Sequence, residues 1–151
     1  MDVAQEPNLA RLARMNMYLH GDGGSSIYEL DFLDKNVSDP SQASAEVRAE
    51  ADQFRDLLSS NPGGFVDIVV TNPPFAKVYE RKTEREDIIL DEYELAIGES
   101  KLKSSLMFFE RYFDVLKPGG KLASVIDDGI LSSTLAISGH ALIQKYGSEA
   151  M

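Results

Sequence analysis

The chain has 151 residues, 43% apolar and 26% charged, a size and balance that fit one soluble globular domain with one core. It has no cysteine, two distant histidines, no apolar run of membrane-spanning length and no basic-then-apolar leader; disulfides, thiolate metal sites, a metal centre, membrane spans and secretion therefore lack support, and the expected location is the cytoplasm. A net charge of −10 argues against tight nucleic-acid binding by this chain itself, because phosphate contacts need lysine and arginine.

Pro7-Asn8-Leu9 opens a helical pattern with Leu9, Leu12, Ala13 and Asn16 on one face and Gly21 past its end. Gly21-Asp22-Gly23-Gly24 then reads as a helix cap and turn. Residues 27–30 predict a short strand ending at Asp31-Phe32, and Val47, Phe54, Leu57 and Leu58 form a helical stripe within residues 41–59. The break at Asn61-Pro62-Gly63-Gly64 closes what reads as an inserted linker with a helix, residues 33–62. Residues 65–70 predict a buried strand. The charges from Glu80 to Asp87 are of mixed sign with no apolar period, so residues 76–101 are expected to form a mobile charged loop. Leu102, Leu106, Phe109, Phe113 and Leu116 predict an amphipathic helix stopped by Lys117-Pro118-Gly119-Gly120. A further strand over 121–126, a loop at Asp127-Asp128-Gly129 and a weaker helix over 136–146 complete the chain. Strands that alternate with helices imply an α/β fold, a mostly parallel sheet with helices on both faces.

The corner Asn72-Pro73-Pro74-Phe75 follows the strand over 65–70 directly. In open α/β sheets ligands bind beyond the carboxyl ends of strands. Two prolines fix φ and remove two N–H donors, leaving the Asn72 side-chain oxygen and rigid backbone carbonyls as acceptors, with an aromatic face beside them. Such a corner suits a flat group bearing an NH₂. Asp127 and Asp128 read as loop structure, since adjacent side chains point apart.

Asn72-Pro73-Pro74-Phe75 resembles the catalytic motif of S-adenosylmethionine-dependent methyltransferases that modify the amino group of adenine. Leu106-Met107-Phe108-Phe109-Glu110, continuing through Leu116-Lys117-Pro118-Gly119-Gly120 to Asp128-Gly129-Ile130-Leu131, resembles the modification (M) subunit of type I restriction-modification systems, in the N-6 DNA methylase family. So does Ala13-Arg14-Met15-Asn16-Met17-Tyr18-Leu19-His20-Gly21. Two features depart from that pattern: Asp127 stands where the family has proline, and the linker after Asp31-Phe32 is longer.

The resemblance implies a Rossmann-like methyltransferase fold in which residues 1–151 form the later part of the catalytic domain, with the first strand and its glycine-rich loop missing upstream of Met1. It implies S-adenosylmethionine as cofactor, with Glu6 at the ribose hydroxyls, Asp31 at the adenine amino group, Phe32 on its ring, and Asn72 shared between cofactor and substrate. Glu6 equally suits the charge of a helix start, and the lesser alternative for Asp31-Phe32 is a capping acid with a core ring. Asn72, Pro73, Pro74 and Phe75 are the implied catalytic residues. The implied partners are DNA, gripped through a separate specificity subunit or domain, and other restriction-modification subunits. The chain alone is expected to bind the cofactor poorly and not to methylate DNA. RNA or a protein glutamine as substrate, or a remnant serving only assembly, stay open because the corner reads an NH₂ group and not its carrier.

Overall fold

The computed structural model of this protein describes residues 2–4, 7–37 and 44–126. Two compact units divide the chain, Met1–Ser60 and Asn61–Met151, where the sequence reads as one domain. The boundary coincides with Asn61-Pro62-Gly63-Gly64, whose composition ends a helix and turns the chain.

In the first unit, β1 (Asp2–Ala4) pairs in parallel with β2 (Ile27–Glu29), Val3 opposite Tyr28. The connection contains α1 (Pro7–Leu19). Its first residue, Pro7, gives up an N–H that a helix start leaves unused. Its end is a Schellman motif: Asp22 N–H donates to the Met17 carbonyl at 2.9 Å and Gly21 N–H to that of Tyr18 at 3.0 Å. Gly21 holds φ at 82°, which confirms these glycines as cap and turn. The buried side of α1 differs from the expected one. Ala10 is fully buried, while Leu9 and Leu12 face outward, because a small side chain lets the helix lie close against β1 and β2.

The helix α2 (Ala45–Ser60) buries Ala51 and Phe54. The Phe54 ring lies 5.4 Å from Tyr28 and 6.4 Å from Phe32, centroid to centroid, which gives this unit an aromatic core. A polar tie joins the same elements. Glu50 accepts the Glu29 N–H at 2.9 Å and the Arg14 guanidinium at 2.5 Å, and Arg14 also donates to the Ile27 carbonyl at 3.1 Å. These contacts fix the end of β2, where Asp31-Phe32 begins.

In the second unit, β3 (Val66–Thr71) pairs in parallel with β6 (Leu116–Ser124), and α4 (Ser104–Val115) leads into β6. The strand expected to be buried is covered on one face only among the described residues: Ile68 and Val70 are 62% and 79% exposed. Alternate residues of a strand point to opposite faces, and Thr71 points toward α4.

Residues 76–101 correct the expected loop. They contain β4 (Val78–Glu80), α3 (Glu84–Asp91), a 3₁₀ turn at Glu94–Ala96 and the start of β5 (Lys101–Lys103), which runs antiparallel to β4 with Tyr79 opposite Leu102. Tyr79, Ile89, Leu90, Tyr93, Leu95 and Ala96 supply the buried residues of this segment, and Leu102 follows directly after it. The elements are too short for their apolar positions to repeat, so the charges dominate the pattern. Leu102 belongs to β5 and not to the helix, and α4 buries Leu106, Met107, Glu110, Arg111, Tyr112 and Val115, leaving Phe109 and Phe113 half-buried. The loop at Asp127-Asp128-Gly129 and the helix expected over 136–146 lie outside the described residues.

Glu110 explains how the 3₁₀ turn is held. Its buried carboxylate accepts the N–H groups of Glu94 and Leu95, each at 3.0 Å. Replacing it with alanine orphans two donors; we expect a loss of about 2 kcal/mol, read as a lower melting temperature. An unchanged melting temperature would refute this role.

Candidate active site

Thr71 is the last residue of β3, and the corner starts at once beyond it. The Thr71 carbonyl accepts Val125 N–H at 3.1 Å, and its hydroxyl shares a 3.0 Å hydrogen bond with the Tyr112 hydroxyl. Burial raises the Tyr112 phenol above its ordinary value, outweighing the opposite effect of hydrogen bonds with Thr71 and Ser124, so it stays neutral well into alkaline pH. Pro73 is buried; Asn72 and Pro74 are exposed, and Phe75 is 36% exposed. On the far side of the corner, the Ser104 hydroxyl donates to the Pro74 carbonyl at 3.2 Å and Ser104 N–H to the Lys77 carbonyl at 2.9 Å.

Among the described residues, the Asn72 side chain makes no hydrogen bond and no donor reaches the Pro73 carbonyl. The site therefore presents an exposed amide oxygen and a rigid carbonyl with unused acceptor capacity, next to an accessible aromatic ring. Acceptors of this kind bind the hydrogens of an NH₂ group and offer a proton no place to stay.

Asp31 and Phe32 belong to the first unit, and Asn72 to Phe75 belong to the second. Asp31 Oδ1 accepts the Leu33 N–H at 3.1 Å, which closes an Asx turn with no helix behind it, while the half-buried Phe32 packs on Phe54. Glu6 lies outside the described residues.

The sequence profile of the N-6 DNA methylase family matches residues 3–138, which spans both units and the corner. The chain belongs to the N-6 DNA methylase family. No curated protein and no solved structure matches it. For this N-6 DNA methylase, the α/β architecture and the parallel pairs β1–β2 and β3–β6 agree with the methyltransferase-like fold read from the sequence. No helix among the described residues is long and apolar enough to cross a membrane. Sequence reasoning missed Ser104 and Tyr112, whose partners in the corner lie 30 and 41 residues away. No local pattern signals such contacts.

Proposed function

We propose that this N-6 DNA methylase transfers a methyl group from S-adenosylmethionine to the exocyclic amino group of adenine in DNA. It acts in the cytoplasm as the modification subunit of a restriction-modification system of type I. The observation that carries this reading is the exposed Asn72 amide beside the Pro73 carbonyl, both without a hydrogen-bond donor among the described residues, at the carboxyl end of β3. An adenine amino nitrogen is a weak nucleophile because its lone pair is delocalised into the ring. Accepting its two hydrogens on the Asn72 oxygen and the Pro73 carbonyl localises that lone pair and aims it. The contribution is positioning and electrostatic preorganisation, with no strong base required.

Asp31 and Phe32 suit the adenosyl part of the cofactor. A carboxylate accepts the hydrogens of an amino group, and a half-buried aromatic ring packs on a base. Glu6 is the proposed ligand of the ribose hydroxyls on resemblance alone. When bound, the cofactor would supply the methyl group on a sulfonium and depart as a neutral thioether, and the methylated amino group would release one of its hydrogens as a proton to water. A target base has to leave the duplex to reach the corner, where Phe75 offers it a stacking face. With a net charge of −10, the main grip on DNA comes from a separate specificity subunit or domain.

Transfer of a labelled methyl group to adenine-containing duplex DNA tests this reading, and incorporation into RNA or a protein glutamine instead would overturn it. Phe75 gives a finer test. Base stacking on an aromatic ring contributes roughly 1–3 kcal/mol, so Phe75→Ala lowers kcat/KM about tenfold or more while Phe75→Trp retains most of it. Equal losses in folded Ala and Trp variants would assign Phe75 to packing.

A further inference from the structure

Its prolines make the corner stiff but do not tie it to the rest of the fold. Pro73 and Pro74 contribute no N–H, so between Thr71 and Lys77 the chain has to be fixed through carbonyls and side chains. One helix supplies most of that fixing. Tyr112, on α4 and 2% exposed, meets the Thr71 hydroxyl immediately before Asn72. Ser104, the first residue of the same helix and 1% exposed, meets the Pro74 carbonyl with its hydroxyl and the Lys77 carbonyl with its N–H. The two anchors bracket Asn72-Pro73 from opposite sides, eight residues apart on one rigid element.

From this arrangement we propose that Ser104 and Tyr112 are positioning residues for methyl transfer, which clamp the corner so that only the Asn72 amide and the Pro73 carbonyl can receive the substrate amino group. The inference rests on the reading of the site given above and deepens it. A corner with two consecutive prolines offers two similar carbonyls to an incoming NH₂. The Ser104 hydroxyl engages the Pro74 carbonyl from α4, whereas no described donor reaches that of Pro73, so the clamp favours one register for the substrate. The Tyr112–Thr71 contact sets where β3 ends and hence where the Asn72 side chain starts. Neither hydroxyl touches the reacting atoms; both act through the corner. Because its burial keeps Tyr112 neutral, this clamp does not loosen across the ordinary pH range.

The test removes one oxygen at a time in the complete methyltransferase, assembled with the subunit that recognises DNA. Ser104→Ala and Tyr112→Phe are compared with wild type and with Asn72→Ala, using methyl-labelled S-adenosylmethionine and adenine-containing duplex DNA, with kcat, both KM values and the melting temperature measured for each. Misplacement of a reacting group by a fraction of an ångström lowers turnover steeply, so each clamp variant is expected to lose about tenfold in kcat while both KM values stay within about twofold. A merely structural role would lower the melting temperature and leave kcat of the folded fraction unchanged. Wild-type kcat in both Ser104→Ala and Tyr112→Phe, with Asn72→Ala inactive, overturns the clamp and leaves the reading of the site standing. Wild-type kcat in Asn72→Ala overturns the reading of the site and the clamp with it.

Discussion

Replacing Asn72 with alanine in the complete enzyme is expected to lower methyl transfer at least a hundredfold while cofactor affinity changes little. The reason is the position of that amide. It is exposed, it has no hydrogen-bond partner among the described residues, and it stands immediately beyond β3 on a corner whose backbone cannot rearrange freely. No described residue uses it, so its removal leaves their packing intact and takes away one of two acceptors for the substrate NH₂. A single preorganised polar contact at a reacting centre accounts for roughly 2.7–4 kcal/mol, which is about 10²–10³ in rate. Single-turnover transfer and calorimetric titration with S-adenosylmethionine separate chemistry from binding. Retention of more than about a tenth of the rate, a barrier change under ~1.4 kcal/mol, is incompatible with the role assigned to Asn72.

The largest expected loss of stability comes from Gly64→Ala. Gly64 directs the chain into β3 at φ 85°, a conformation that costs a residue with a side chain about 1–3 kcal/mol. Space makes matters worse. A Cβ there would stand 2.8 Å from the Lys117 nitrogen and closer still to the Leu116 carbonyl group, so the start of β6 would have to move. These are backbone atoms of a paired strand and cannot swing aside. We expect a loss above about 3 kcal/mol, or roughly 6–12 °C in melting temperature for a chain of this size. Gly63→Ala is the control, since a Cβ at Gly63 meets nothing within 4 Å and its φ is ordinary. Equal melting temperatures for the two variants would contradict the close approach.

Particular residues explain what was readable in the sequence. Pro7 and Gly21 mark both ends of α1 through backbone chemistry that acts locally, and the Asn-Pro-Pro-Phe corner announces itself for the same reason. The buried face of α1 was misread because leucines signal burial more loudly than Ala10 does, although a small residue is what a close helix contact requires. Within residues 76–101 the sequence does carry a local cap signal. Thr83 accepts the Glu86 N–H at 3.2 Å, and the Thr-x-x-Glu spacing marks the start of α3. The antiparallel pairing of β4 with β5 was not legible, since register depends on a partner more than twenty residues away. The same holds for the site. Asn72 and Phe75 are visible as a motif, whereas the hydroxyls that hold them come from α4 and become visible only when the chain is folded.

The account turns on which atom receives the methyl group. The decisive measurement is mass spectrometry of nucleosides from duplex DNA incubated with S-adenosylmethionine and the intact protein, together with the subunit that recognises DNA. The account predicts N6-methyladenine with wild type and none with Asn72→Ala. Methylcytosine, or equal amounts of N6-methyladenine from both proteins, would contradict it.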